Sequence, residues 1–140
     1  MIIRKLGRKK AHRSHMLRNL AASVILFEKA LTTEAKAKAV RALIERSVTL
    51  AKKNTLAARR QIEGLYFDSN VTKKLFDELA PRFATRDGGY IRILHTGNRN
   101  GDNAEAALIG LMPEEKKAEA VTIPAKTKTE TMKTKALDHE

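Results

Sequence analysis

No acidic residue precedes Glu28, while seven Lys and Arg fall before it. Charges of one sign crowded into so short a stretch repel each other. Residues 1–13, which carry Arg4, Lys5, Arg8, Lys9, Lys10 and Arg13, offer little apolar surface to offset the entropy of ordering them. The expectation is an extended basic arm with no fixed fold in the free protein. The imbalance is confined to one part of the chain. Residues 1–60 hold 16 Lys and Arg against three acids (+13), and residues 61–140 hold 12 against 13 (−1). Charge carried only for solubility would be spread along the chain. Charge gathered in one part points to a polyanionic partner.

The remaining composition narrows the class. At 140 residues and 42% hydrophobic the chain suits a single domain with a moderate core. It has no Cys, which rules out disulfides, thiolate nucleophiles and thiolate metal sites and fits a reducing compartment. No apolar run approaches the roughly 18 residues a membrane span needs. The best candidate, residues 20–27, is interrupted by Ser23 and preceded by Arg18 and Asn19. It reads as an amphipathic helix of a soluble, untargeted chain. Aromatic residues make up 4%, too few for a platform that stacks single-stranded bases. The expected target is structured nucleic acid, read by shape and phosphates.

The spacing of apolar residues predicts the elements. A first helix is expected from Ser14, a plausible cap, with Leu17, Leu20, Ala21, Val24 and Leu31 on one stripe that Ile25 and Phe27 widen. Residues 30–33 suit a short strand. Thr33 then caps a second helix over residues 34–53, whose inner stripe is Val40, Leu43, Ile44, Ser47, Val48 and Ala51. Thr55 caps a third helix over residues 56–65. A break at residues 68–70 precedes a fourth helix spaced by Val71, Leu75 and Leu79 and limited by Pro81. Asp87-Gly88-Gly89 signals a turn. Strands are expected over residues 90–96 and 106–112, joined by the polar loop Gly97-Asn98-Arg99-Asn100-Gly101-Asp102-Asn103. After Pro113 the sequence alternates Thr and Lys with few large apolar residues, and reads as a disordered or loosely helical tail.

Candidate chemistry follows from residue type. Arg presents a planar fork of donors to phosphate oxygens, and Lys a mobile point charge. Gly7 lets the arm turn and approach a surface closely. The outer face of the second helix carries Lys36, Lys38, Arg41, Arg46, Lys52 and Lys53 against Glu34 and Glu45. Arg59 and Arg60 follow on the third helix, and Arg99 stands in the polar loop. His12 and His15 lie among cations with no acid in their segment, which favours RNA contact over metal binding. The polar loop lacks the Gly-Lys-Ser/Thr ending of a phosphate-binding loop. The carboxylates Asp77, Glu78, Asp87 and Asp102 are scattered rather than paired for catalysis. No enzyme activity, cofactor or metal is expected.

Five stretches resemble the bacterial large-subunit ribosomal protein L17 family: residues 4–20, 32–53, 58–61, 73–94 and 97–102, in that family's order. The resemblance departs at Ala30, where the family tends to have Ile, and at Asn98 and Asn100, in a loop often bearing Pro and Arg. It implies an α+β fold with about four helices packed on a small sheet, mostly antiparallel or mixed. It implies RNA contacts at Arg4, Lys5, Gly7, Arg8, Arg13, His15, Arg18 and Arg99. Added to the residue-level reading of Lys9, Lys10, His12, Lys36, Lys38, Arg41, Arg59 and Arg60, these are the expected RNA-binding residues. The expected role is a structural constituent of the cytoplasmic ribosome, near the peptide exit. Its partners would be large-subunit rRNA and neighbouring ribosomal proteins, with no membrane and no small-molecule substrate. A DNA-binding nucleoid or architectural protein is the alternative use of the same charge. The expected organisation is an arm at 1–13, a globular domain at 14–112 and a tail at 113–140.

Overall fold

A computed structural model describes residues 4–113. The proposed tail lies outside the described residues, apart from Pro113. Helix α1 (Lys10–Phe27) starts four residues ahead of Ser14. The Lys, Arg and Ala residues there are good helix formers, so the helix runs back into the basic segment and residues 10–13 are helical. The segment ahead of it is bent rather than straight. Leu6 and Gly7 have φ of 55° and 63°, and the turn is closed by Arg8 N–H donating to Lys5 O at 3.2 Å.

The inner face of α1 is Ala21, Val24 and Ile25, with Leu17 and Leu20 partly buried beside it. Phe27, expected to widen this stripe, is instead 72% exposed. At 3.6 residues per turn it lies roughly a third of a turn from the Ala21-Val24-Ile25 line. The helix ends at Glu28, which has a left-handed backbone (φ 63°) that a non-glycine residue adopts at some cost. The reversal is held by side chains: Glu28 Oε1 accepts from Arg82 Nη2 at 2.9 Å and lies 3.5 Å from Lys74 Nζ. Lys74 also donates to Leu26 O at 2.9 Å.

One residue later the chain is strand β1 (Lys29–Thr33), which runs directly into α2 (Glu34–Lys52). The inner stripe of α2 follows the expected period: Val40, Ile44, Ser47, Val48 and Ala51 are buried, joined by Ala37. Leu43 departs from the expectation. It sits at the stripe's edge, half-buried. Helix α3 (Leu56–Tyr66) is capped by Thr55, whose side chain accepts from Ala58 N–H at 3.2 Å. Its Tyr66 hydroxyl pairs with Ser47 Oγ at 2.7 Å in the core. Burial pushes the Tyr66 phenol up to about 12, against the smaller opposing pull of that hydrogen bond.

The fourth expected helix is α4 (Ser69–Lys74), capped by Asp68, followed by a π-helical turn (Leu75–Leu79) and α5 (Ala80–Arg82). Pro81 does not end this helix as expected. The ladder has already shifted to the wider spacing, with Ala80 N–H bonding to Leu75 O, and a π turn is one of the few places where a helix absorbs such an irregularity. Leu75 and Leu79 remain fully buried.

Strands β2 (Ile91–Asn98) and β3 (Glu105–Leu111) complete an antiparallel sheet in the order β1-β3-β2. The fold is therefore the expected α+β arrangement of helices on a small sheet. Alternation sends Ala107, Ile109 and Ile91 inward, all buried, and leaves Leu31, Leu108 and Leu94 in one cross-strand row on the other face. Leu31, expected on the first helix's stripe, is thus a strand residue and 68% exposed. Lys52, expected on the outer face of α2, turns back instead: its ammonium donates to Arg86 O at 2.6 Å and lies 5.6 Å from the Tyr90 ring centroid.

The Glu28 clasp makes a pH-dependent contribution. The hydrogen bond from Arg82, and then the nearby charges, hold the Glu28 carboxyl below its ordinary 4.5. A depressed carboxyl stabilises the fold above its unfolded pKa and loses that contribution as pH falls through the folded value. Because the side chain is 40% exposed, solvent screening reduces its worth. Glu28→Gln should cost about 1 kcal/mol at pH 7. The difference from the parent should shrink as denaturant midpoints are measured from pH 7 toward pH 3. A difference independent of pH would show that the clasp is not electrostatic.

Candidate nucleic-acid interface

The basic segment is placed by α1. From Lys10 onward, helical geometry sends Ala11, His12, His15 and Asn19 to the exposed side, while Arg13, Leu17, Ser14 and Arg18 are half-buried. Lys9 occupies the cap position but makes no side-chain capping bond, and no acid stands in the first turn. The first helical bond in this region runs from Arg13 N–H to Lys9 O at 3.0 Å, which leaves the N–H groups of Lys10, Ala11 and His12 without a helical acceptor. Lys9 and Lys10 also place positive charge at the positive end of the helix dipole, an arrangement that costs roughly 0.3–1 kcal/mol per charge. A phosphate at this end would relieve both conditions.

Among the described residues, none of Arg4, Lys5, Arg8, Lys9, Lys10 and Arg13 forms an ion pair. Arg8 is the one engaged elsewhere, donating from Nη1 to Leu6 O at 3.0 Å, which fastens the turn beneath it. Two further cations are only partly free. The Arg18 guanidinium lies 5.9 Å from the Phe67 ring centroid, and Arg59 lies 4.7 Å from that of Phe76. Both rings gain a cation on their negative face.

The α2 cations differ from those of the arm. Lys38 pairs with Glu34, and Arg41 with Glu45 at 2.9 Å, each four residues apart. Lys36 is half-buried, and Arg60 on α3 is exposed. The Glu34 carboxyl, held mainly by Lys38, is pulled down to about 2, and its hydrogen bond to Glu105 raises the latter. His95 Nδ1 lies 4.0 Å from Glu34, so this imidazole faces carboxylates rather than the arm. No group of three potential metal ligands is gathered among the described residues.

What the structure brings together is a groove between α1 and α2. Arg4, Arg13 and Arg46 line it together with Leu17, Ala39, Ala42 and Leu43, around an open space of ≈ 290 Å³. Sequence reasoning placed Arg46 on the outer face of α2 but left it out of the RNA-binding set. It lies three residues after Leu43, so it borders the same stripe, and that spacing was the available signal.

Arg99 stands apart from this groove, at the tip of the β2–β3 hairpin. A bulge between His95 and Gly97 adds the local twist that bulges bring. Beyond it the hairpin is closed by Asn98 Nδ2 donating to Asn103 Oδ1 at 2.9 Å and by Arg99 donating through two nitrogens to Asp102, Nε at 3.0 Å. Arg99 side-chain exposure is 59%, so the guanidinium reaches solvent while already holding a carboxylate. The Asp102 carboxyl is drawn down to about 2, first by the Arg99 hydrogen bond and then by Ala104 N–H.

The match to known proteins covers most of this architecture. The family model described as Ribosomal protein L17 matches residues 16–112. The large ribosomal subunit protein bL17 of Desulfitobacterium hafniense strain Y51 is 49% identical over 112 residues, 80% of this chain and 100% of that protein. Its counterpart in Fusobacterium nucleatum is 48% identical over 109 residues, covering 78% and 94%. That of Agrobacterium fabrum is 43% identical over 127 residues, covering 91% and 90%.

The Arg99–Asp102 clasp is open to direct measurement. A carbon-detected NMR titration should find the Asp102 carboxyl protonating near pH 2, with the Arg99 Nε–H resonance unchanged between pH 7 and pH 4. A midpoint at the ordinary 3.8 would mean that Arg99 is not held.

Proposed function

The chain belongs to the ribosomal protein L17 family, and from that membership we propose that it is a structural constituent of the large ribosomal subunit that binds structured rRNA through phosphate contacts. The observation that carries this reading is the run of six basic residues, Arg4 to Arg13, none of which pairs with an acid among the described residues. Its last two members, Lys10 and Arg13, stand in the first turn of a helix whose first N–H groups have no helical acceptor. On α2, by contrast, Lys38 and Arg41 are each paired with a carboxylate four residues away. Leaving the arm uncompensated raises the energy of the free protein, and a polyanion lowers it again by direct contact and by release of the counterions on its phosphates.

The residues fall into two roles. Arg4, Lys5, Lys9, Lys10, His12, Arg13 and His15 are the phosphate contacts of the arm and the first turns of α1. Arg18, Lys36, Lys38, Arg41, Arg59, Arg60 and Arg99 extend the basic surface on neighbouring elements, with their charge already shared with Glu, Asp or an aromatic ring in five cases. Arg8 fixes the turn that aims the arm. The protein's contribution to translation is then to hold rRNA in place rather than to react with anything. We place it near the peptide exit, among other large-subunit proteins, on the family resemblance. No helix among the described residues is long and apolar enough to cross a membrane.

The test is salt dependence. Replacing Arg4, Lys5, Lys9 and Lys10 together by Gln removes charge without removing the buried face of α1. The melting temperature of the free protein should hold or rise, because two of the four charges oppose the helix dipole. Affinity for a large-subunit rRNA transcript should fall, and the slope of log affinity against log salt should flatten by roughly 0.7–0.9 for each phosphate that the protein no longer neutralises. The variant should also leave large subunits during a moderate salt wash that retains the parent. Unchanged affinity and slope would rule out the arm as the binding element.

A further inference from the structure

We propose that the groove between α1 and α2 seats a single unstacked nucleotide of the bound RNA, with its phosphate on Arg4, Arg13 and Arg46 and its base on the apolar floor. The inference rests on the rRNA-binding reading above and assigns it a specific subsite.

Two features of the groove conflict unless something fills it. Three arginines from three elements, the arm, α1 and α2, line one opening. None of the three has a hydrogen-bond or ion-pair partner among the described residues. Guanidiniums stay charged in proteins, so this positive charge is not shed by losing a proton, and an anion at the opening is favoured by it. The floor is of the opposite character. Leu17 and Leu43 are large and only partly buried, although both pack against the core. Ala39 and Ala42 leave open the space that bulkier side chains would fill.

A phosphate alone satisfies the rim and leaves the floor wet. An apolar side chain from another protein satisfies the floor and leaves three cations facing each other. A nucleotide offers both surfaces in one unit: an anionic phosphate, and a flat base whose faces are apolar. Arg planes and apolar side chains are the groups on which unstacked bases rest in RNA complexes. The open ≈ 290 Å³ falls just below the range of sites that take small organic molecules, about 300–1,000 Å³, and matches one nucleotide better than a duplex groove. An apolar floor explains how a protein with few aromatic residues can still select a bulged or looped nucleotide within structured RNA.

The experiment separates floor from rim in the full chain. Ala42→Leu fills the floor and leaves every charge in place, and Ala39→Leu does the same one turn earlier. Arg46→Gln removes a rim charge and leaves the floor open. Binding is measured to a large-subunit rRNA transcript across a range of salt, and melting of the free protein is followed by circular dichroism. Ala42→Leu is expected to melt like the parent, to weaken binding about tenfold and to keep the parent's salt slope. Arg46→Gln is expected to weaken binding and flatten the slope by roughly 0.7–0.9. Ala42→Leu binding as tightly as the parent, while Arg46→Gln flattens the slope, would overturn the nucleotide subsite and leave the phosphate reading standing. A parent chain with no salt-dependent rRNA binding would overturn both. Should both filling variants fail to fold, photo-crosslinking of the parent to a transcript carrying 4-thiouridine decides the matter. A crosslink within the peptides holding Leu17 or Leu43 supports the subsite, and crosslinks confined to other peptides overturn it.

Discussion

The carboxylate of Glu28 is the first negative charge in the chain, and it is engaged by Arg82 and Lys74 from later in the sequence rather than by the cations that precede it. Held by Arg82 and Lys74, it fixes the left-handed residue that turns α1 into β1. Leu111 N–H donates to the same residue's carbonyl at 2.8 Å, so the central strand is tied to this point as well. Two consequences follow together. The direction of α1 relative to the sheet is set, and with it the direction in which the basic segment leaves the body. The nearest acid in sequence also stands at the far end of the 18-residue α1, roughly 27 Å away at 1.5 Å per residue, too far to neutralise that segment.

The same contrast runs over the rest of the surface. Lys38 and Arg41 on α2 and Arg99 on the hairpin meet carboxylates three or four residues away, in pairs that are worth little when exposed but lower the local potential. Arg18 and Arg59 lie on aromatic rings. The arm and the start of α1 have neither device. The densest run of cations without an ion pair among the described residues is at the start of α1, with Arg46 beside the groove on α2, while Lys29, Lys53, Arg60, Lys73 and Arg92 are exposed without such a pair elsewhere. A focused patch of this kind steers a polyanion to one orientation, which a structural component of an RNA assembly requires.

Much of this was legible in the sequence, because much of it is local. The stripe Val40, Ile44, Val48 follows the helical period and is buried as that period requires. Thr55 caps α3 through its own side chain, and the two late strands fall within two residues of their expected ends. The misreadings have physical causes. Ser14 looked like a cap, but helix propensity carried α1 back to Lys10 across an unfavourable charge run, a competition that residue type alone does not settle. Phe27 was assigned to the core because it is large and apolar, whereas its angular position on the helix puts it outside. Pro81 was read as a stop because a proline breaks a regular ladder, and here the ladder had already widened. The groove was not legible at all. Arg4, Arg13 and Arg46 are widely separated in sequence, and only the packing of α1 on α2 puts them at one opening.

The central claim is that the uncompensated end of α1 is where rRNA is held. A residue-resolved map of the large subunit containing this chain tests it most directly. The account predicts rRNA phosphates against Arg4, Lys5, Lys9 and Lys10, at the N–H groups that open α1. A map in which that end of the helix faced solvent or the apolar surface of another protein, with rRNA lying instead on the paired cations of α2, would contradict it.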